Sequence, residues 1–326
     1  MNSFRTLHTL IDKYKTYALT THVNPDGDAI GSELAFYLYL KKLGKTVKIY
    51  NTDPVPKKYQ FLPNWENIED AQAALNYSPE ILIILDASSR DRIGNFLNKR
   101  LLPLNAVVNI DHHITAEEFA DYNIILPDAS STAEIIYKYI NSTEIQIDSD
   151  CALCLYTGIL FDTGCFRYSN TTPETHRIAA DLIELGDFTP DEVYSRIYEH
   201  VPLGKIHLLG QTLQTLELSN KGRIAWVLVN QSMLKDTNTT LDDLEGFVNQ
   251  IQAIEGVEVA LCICELPDGN TKVSLRSDGK VDVAALAAEF KGGGHERASG
   301  CRINHPPTSA IKLLLKSTNQ RIKDID

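Results

Sequence analysis

The sequence lacks a hydrophobic run long enough to span a lipid bilayer. Its N-terminal segment also lacks the uninterrupted apolar core of a signal peptide, because polar residues separate the hydrophobic ones. Internal repeats and low-complexity segments are absent as well. These absences predict a globular cytoplasmic protein without a membrane partner.

The sequence also lacks an excess of positive charge. Its 326 residues include 43 acidic side chains against 31 lysines and arginines, which gives a formal net charge of −12. A protein that holds long nucleic acid usually presents a basic surface, because it must neutralise many phosphates. The charge balance argues against a long duplex as partner and favours a small or short substrate.

Cysteine is scarce, and its six copies are scattered. Cys151 and Cys154 have the spacing of a C-x-x-C motif, but they lie inside an apolar helical run. No second pair follows at the spacing of a zinc ribbon. We interpret them as buried structural cysteines, with a redox or zinc role as the alternative.

A strand, a tight loop and a helix are predicted near the start of the chain. The loop, His22-Val-Asn-Pro-Asp-Gly-Asp28, contains one imidazole and two carboxylates. In α/β proteins, ligands bind at the carboxyl ends of parallel strands, where this loop would lie. The side chains therefore suit a divalent cation. Alternatively, Asp26 and Asp28 only satisfy backbone donors or cap the helix.

Two further predicted strands end in acidic or imidazole side chains. A continuous apolar run, typical of a central parallel strand, is followed by Asp86. The next strand is followed by Asp111, His112 and His113, and Asp162 lies near the end of an apolar helix. Independent loops rarely all place such groups at one strand end, so we interpret them as parts of one site.

The collected donors are enough for two divalent ions that share one ligand. Imidazoles mixed with carboxylates suit Mn²⁺, with Mg²⁺, Fe²⁺ or Co²⁺ as substitutes, and the absence of cysteine disfavours a closed zinc site. Two ions roughly 3.5–4 Å apart can stabilise the attacking and leaving oxygens of an in-line phosphoryl displacement. The predicted metal ligands are His22, Asp26, Asp28, Asp86, His112 and Asp162.

The order of elements predicts an α/β chain with two domains. Residues 1–188 are expected to form a domain with a parallel sheet and helices on both faces. Residues 189–220 are expected to form a helical linker. Residues 221–326 are expected to form a smaller α/β domain with a mixed sheet, because their strand patterns include a hairpin.

The ordered motifs resemble the DHH phosphoesterase superfamily, which is named for the triplet that is here Asp111-His112-His113. The segment Gly292–Gly300 resembles the signature of the DHH-associated nucleotide-binding domain, with Ser299 where alanine is usual. The resemblance covers nearly the whole chain and implies a DHH catalytic domain followed by a DHH-associated substrate-binding domain. The other matching blocks are His22-Val-Asn-Pro-Asp-Gly-Asp28, Asp86-Ala-Ser, and Asp162 within Gly158-Ile-Leu-Phe-Asp-Thr-Gly164.

The resemblance implies two metal ions bridged by Asp86. It also implies a catalytic set of Asp86, Asp111 and His113, in which Asp111 orients the triplet. His113 would not bind metal but would contact the scissile phosphate and stabilise developing charge. The two implied ligand groups are His22, Asp26 and Asp86, and Asp28, Asp86, His112 and Asp162.

In the C-terminal domain, the resemblance implies substrate contacts. Gly293, Gly294 and His295 would face the substrate, since glycines let backbone N–H groups approach a phosphate closely. Arg276 would bind a terminal phosphate. Without the resemblance, the glycines are a helix cap and hinge, His295 is a packed or exposed histidine, and Arg276 is a surface charge.

Within the superfamily, the compact two-domain form resembles the nano-RNase type. We therefore expect a Mn²⁺-dependent phosphohydrolase that degrades very short single-stranded RNA and dephosphorylates 3′-phosphoadenosine 5′-phosphate (pAp). The alternatives are a soluble cyclic di-AMP or pApA phosphodiesterase, which would use the same residues, and a non-catalytic nucleotide-binding protein. The oligomeric state is left open, with a homodimer as one option.

Overall fold

The computed structural model describes residues 2–94, 105–199 and 201–325. The chain divides into two units, Met1–His200 and Val201–Asp326, each built around its own sheet. The division falls inside the segment predicted as a linker, and residue 200 lies outside the described residues. Among the described helices, none has the length and apolarity that a membrane span requires.

The described part of the first unit contains a six-stranded sheet: β1 (Thr16–Thr20), β2 (Thr46–Asn51), β3 (Ile68–Asp70), β4 (Ile81–Leu85), β5 (Ala106–Asp111) and β6 (Tyr122–Ile125). All neighbours are parallel, in the order β3-β2-β1-β4-β5-β6. The order therefore changes direction between β1 and β4. In doubly wound sheets, this switch point is where ligands bind.

The first unit also contains six described α-helices: α1 (Asn2–Lys13), α2 (Gly27–Lys42), α3 (Thr132–Asn141), α4 (Ser149–Asp162), α5 (Pro173–Leu185) and α6 (Pro190–Tyr198). Alternate residues of β4 contribute to two different cores. Ile81, Ile83 and Leu85 belong to the large cluster that includes residues of all six helices, whereas Leu82 and Ile84 belong to a smaller cluster. All five are buried, as the continuous apolar run predicts.

Helices α2 and α4 pack in close contact because glycines face the neighbouring backbone. A Cβ atom at Gly31 would lie 2.4 Å from the carbonyl oxygen of Cys154. Cys151 and Cys154 are both buried, and burial raises the pKa of the Cys151 thiol to about 12. Both cysteines therefore lie in the core as neutral thiols.

The described part of the second unit contains a six-stranded sheet: β7 (Glu217–Ser219), β8 (Ile224–Val229), β9 (Val259–Glu265), β10 (Thr271–Ser277), β11 (Gly293–His295) and β12 (Ala298–Ile303). The order is β11-β12-β10-β9-β8-β7, and the sheet is mixed, with β8 and β9 parallel. The described α-helices are α7 (Leu203–Leu213), α8 (Gln231–Asp236), α9 (Phe247–Gln252), α10 (Val283–Ala288) and α11 (Pro307–Ile325). The predicted fold class is confirmed: a parallel α/β unit and a mixed α/β unit.

The elements that the sequence pattern does not predict are short. Strands β3 and β6 have three and four residues and lie at the two edges of the first sheet. The glycine motif forms the hairpin β11–β12. Such segments are strands because a neighbouring strand supplies their hydrogen bonds, which local sequence does not reveal. Helices α8 and α9, six residues each, were also not predicted.

A buried carboxyl group lies in α2, outside the predicted site. Glu33 is fully buried, and Asn51 Nδ2 donates a hydrogen bond of 2.8 Å to its Oε2. Burial raises the pKa of Glu33 to about 8, although Asn51 and the positive charge of His22 act in the opposite direction. The folded protein therefore keeps this proton at pH values where the unfolded chain, with its ordinary carboxyl pKa, has lost it.

We expect the Glu33→Gln variant to change the pH dependence of stability. Between the ordinary Glu pKa and pH 8, the unfolded state binds fewer protons at this position, so Glu33 lowers the free energy of unfolding as the pH rises. The amide cannot ionise. Relative to wild type, the variant should gain a few kcal/mol between pH 5 and pH 8, measured by urea unfolding with chelator present.

The exposed Glu66 provides the control, because Glu66→Gln should follow the wild-type curve at both pH values. Parallel curves for wild type and Glu33→Gln would show that Glu33 is ionised in the folded protein.

Candidate metal centre

The predicted site residues lie at the carboxyl ends of three adjacent strands. Asp86 directly follows β4, Asp111 is the last residue of β5, and His22 lies two residues after β1. The strands are parallel and in register, with Thr20 paired to Ile84. The side chains therefore meet at one edge of the sheet, beside the switch point.

All six predicted metal ligands come together in the folded chain. Three groups of side chains have ligand atoms within 4.8 Å of one another, and Asp86 belongs to two of the groups. The first group below is the ligand set expected for one ion, and the second contains the set expected for the other ion except Asp86. The groups are His22, Asp26 and Asp86; Asp28, His112 and Asp162; and Asp86, Asp111, His112 and His113.

Asp86 presents its two carboxylate oxygens to different histidines. Oδ2 lies 3.5 Å from His22 Nε2, and Oδ1 lies 3.6 Å from His112 Nε2. The residue has a left-handed backbone (φ 59°), and its N–H donates to the carbonyl of Ile110 at 2.9 Å. For a residue other than glycine this conformation costs on the order of 1–3 kcal/mol, a strain that often occurs at functional sites.

Asp26 caps a helix and faces a histidine at the same time. Its Oδ1 accepts hydrogen bonds from the N–H groups of Asp28 (3.0 Å) and Ala29 (3.1 Å), so the residue is the N-cap of α2. Its Oδ2 lies 3.7 Å from His22 Nε2. The capping and ligand interpretations are therefore compatible, because each uses a different oxygen.

Asp28 is held by the first turn of α3. Its Oδ2 accepts from the N–H of Thr132 at 2.6 Å, and its Oδ1 accepts from the N–H of Ala133 at 2.8 Å. Thr132 also donates its hydroxyl to Asp86 Oδ1 at 3.1 Å. Sequence analysis missed Thr132. The available signal, consecutive hydroxyl residues at a helix start, indicates only a cap.

His22 and His113 are both oriented by hydrogen bonds of their Nδ1 atoms. His22 Nδ1 lies 2.8 Å from the carbonyl oxygen of Val23 and donates its proton to it, which leaves Nε2 as a ligand atom. His113 Nδ1 lies 2.6 Å from Asp111 Oδ1, which also accepts the N–H groups of His112 (2.7 Å) and His113 (3.1 Å). Asp111 thus holds the triplet together.

Two family models match the chain. The N-terminal domain model of the DHH family matches residues 16–159, and the DHHA1 domain model matches residues 224–324. A Thermus thermophilus protein named bifunctional oligoribonuclease and PAP phosphatase NrnA is 34% identical over 87% of this chain and 83% of its own length. The chain belongs to the DHH family. Its membership confirms the prediction of a metal-dependent phosphoesterase.

One more curated relative and two solved structures align with most of this chain. The Bacillus subtilis protein of the same name is 29% identical and covers 90% of this chain and 91% of its own. An exopolyphosphatase-related protein from Bacteroides fragilis has a crystal structure that aligns with a TM-score of 0.92, at 26% identity, over 99% of this chain and 97% of that chain. The Thermus thermophilus RecJ structure with Mn²⁺ (TM-score 0.57, 12% identity, 97% and 55% coverage) shares the fold.

The electrostatics of this DHH site fit divalent cations. Burial and the neighbouring carboxylates raise the pKa of Asp28 and of Asp162 well above the usual range. Burial acts to lower the pKa of His22, but Asp26 and Asp86 raise it to about 11. The buried carboxylates repel one another, and a bound cation would neutralise that repulsion. Binding would also release the extra protons that the neighbouring imidazoles carry.

Two predicted substrate contacts of the DHHA1 domain lie in one row of the second sheet. Arg276 in β10 and His295 in β11 are both paired with Ala298 of β12. Opposed residues of antiparallel strands project from the same face, so the two side chains flank the small alanine, with their strands roughly 10 Å apart. Gly293 and Gly294 are exposed in the edge strand β11. Gly292, at the start of the glycine run, donates its N–H to the carbonyl of Ala287 in α10, so this end of the run also closes the helix.

We expect the Asp111→Asn variant to lower the pKa of His113. Burial acts to lower this pKa, but the hydrogen bond and charge of Asp111, together with Asp86 and Asp162, raise it to about 9. The amide keeps an oxygen for the hydrogen bonds and removes the charge, so the imidazole should lose its proton at lower pH. An NMR titration of the metal-free protein measures the change.

The exposed His8, whose contact with Asp12 does not involve the triplet, serves as an internal reference. A His113 pKa that stays at the wild-type value would mean that Asp111 does not stabilise the imidazolium.

Proposed function

We propose that this DHH protein is a Mn²⁺-dependent phosphohydrolase that degrades very short oligoribonucleotides to mononucleotides and dephosphorylates pAp. The observation that carries the proposal is that Asp86, between two groups of donors, presents one carboxylate oxygen to His22 and the other to His112. Two cations with a common carboxylate suit in-line phosphoryl displacement. The names of the Thermus and Bacillus relatives, which align over most of their lengths, support the substrate class.

We assign the donors to two ions. The mixture of imidazoles with carboxylates favours Mn²⁺. When bound, the ions would activate water and neutralise charge on the phosphate. The residues of this chain would hold the ions and position the phosphate for reaction. The proposed ligand groups are His22, Asp26 and Asp86 for one ion, and Asp28, Asp86, His112 and Asp162 for the other.

His113 is the proposed catalytic contact to the scissile phosphate. Its Nδ1 is engaged by Asp111, which leaves the protonated Nε2 to donate to a phosphate oxygen. A cationic donor held in place stabilises the charge that develops on those oxygens, and it needs no reorganisation during the reaction. The short bond to the buried Asp111 supplies that rigidity.

Arg276 is the proposed contact to the substrate's terminal phosphate, and Gly293, Gly294 and His295 are proposed to face the substrate. Arg276 Nε donates to Asn249 Oδ1 at 3.1 Å and its Nη1 donates to the carbonyl of Leu275 at 3.0 Å, which orients the guanidinium. A planar guanidinium suits bidentate phosphate binding. A short substrate has few phosphates and needs few cationic side chains to bind it. This agrees with the protein's net charge of −12.

The decisive measurement compares turnover with Mn²⁺ on four compounds. They are pAp, a 5′-phosphorylated RNA dinucleotide, a longer single-stranded RNA and cyclic di-AMP. We expect fast release of phosphate from pAp and of mononucleotides from the dinucleotide, with little turnover of the other two. A protein that prefers cyclic di-AMP would instead act in second-messenger breakdown and contradict the proposal.

The Asp86→Ala variant shows whether the measured turnover belongs to this site. Loss of this carboxylate should abolish turnover of every substrate, because it faces both His22 and His112 and is the proposed ligand common to the two ions. Near-normal turnover of the variant with Mn²⁺ would contradict the two-ion assignment.

We expect Arg276→Ala to weaken substrate binding more than the chemical step. KM for the phosphorylated dinucleotide should rise by at least tenfold with a smaller fall in kcat, since a terminal-phosphate contact binds ground and transition states alike. Steady-state kinetics measure both. Arg302→Ala, which removes an exposed arginine from the same sheet, is the matched control. A fall in kcat alone would rule out the terminal-phosphate contact.

A further inference from the structure

Thr132 contacts both halves of the metal centre through different atoms. The residue is fully buried at the start of α3. Its backbone N–H holds Asp28 Oδ2 at 2.6 Å, and its hydroxyl donates to Asp86 Oδ1 at 3.1 Å. Asp28 is a proposed ligand of the second ion, and Asp86 is a proposed ligand of both ions. One residue therefore touches the ligand set that the two ions share.

The orientation of the Asp86 carboxylate decides whether it can bridge. Oδ2 must face His22 while Oδ1 faces His112, as it does in this structure. The terminal torsion of an aspartate is broad and roughly two-fold, so the side chain does not fix this plane by itself. The Thr132 hydroxyl bonds to Oδ1 and can define the plane. Oδ1 retains a second lone pair for an ion.

The position of the hydroxyl is itself well determined. Ser131 caps α3 by accepting the N–H of Glu134 at 3.0 Å. The buried Glu134 Oε2 accepts the hydroxyls of Ser130 (2.6 Å) and Thr175 (2.9 Å). This network fixes the first turn of α3 on both sides of Thr132, so the threonine is pre-organised before any ion binds.

We propose that Thr132 is a positioning residue that holds Asp86 in its bridging orientation. The inference rests on the proposed two-ion site and adds a determinant of its geometry. Without the hydroxyl, the Asp86 carboxylate turns and gives both oxygens to one ion. The second ion then loses a ligand, and the two ions lose their common bridge.

Thr132→Val tests the proposal, because valine keeps the shape and the backbone N–H but has no hydroxyl. We expect one Mn²⁺ to bind with near wild-type affinity and the second about 10- to 100-fold more weakly, as measured by calorimetric titration. Electron paramagnetic resonance should show loss of the spin coupling of a bridged Mn²⁺ pair. Thr132→Ser, which restores the hydroxyl, should bind two coupled ions.

Thr318→Val is the matched control, since it removes a fully buried hydroxyl that donates only within its own helix, to the carbonyl of Leu314 in the second unit. It should bind two coupled ions. Thr132→Ala replaces valine if that variant does not fold. Two coupled ions in Thr132→Val or Thr132→Ala would overturn this inference alone. A wild-type protein that binds a single Mn²⁺ would overturn both the inference and the two-ion part of the proposed function.

Discussion

The mutual repulsion of buried carboxylates is the constraint on which this structure depends. Asp28, Asp86 and Asp162 meet at one sheet edge, and burial together with their neighbours raises the pKa of two of them. Such a cluster is unfavourable without positive charge. The imidazoles supply part of that charge, and divalent cations would supply the rest. The fold and the proposed chemistry are thus linked, because the groups that oppose folding are the proposed ligands of the ions.

The surrounding elements hold these groups where they would otherwise move apart. The first turn of α3 donates two backbone N–H groups to Asp28. Close packing leaves no room for adjustment, since a Cβ atom at Gly158 would lie 2.8 Å from Asp28 Oδ1. The left-handed backbone of Asp86 is maintained by the ladder to β5. Strain and desolvation are concentrated at this edge, and the buried core of the unit offsets them.

The two units differ in the charge of their candidate contacts. The first concentrates carboxylates, which suit cations. The second presents Arg276 and His295 in one row around a small residue, which suits an anionic group. In the proposed function, a terminal-phosphate contact in the second unit would let the first unit remain acidic, because a short substrate needs no basic surface.

The sequence by itself determined the fold class, the strand that precedes Asp86 and all six donors, because these depend on local patterns: apolar runs, turn residues and motifs at strand ends. Tertiary structure alone decided the contacts between distant segments. Thr132 and Asp28 are 104 positions apart, so no local pattern reveals that the first residue of a helix also holds a carboxylate of the candidate site. Likewise, Gly293–His295 is a strand only because β12 pairs with it. Hydrogen bonds across such separations exist only after the chain has folded.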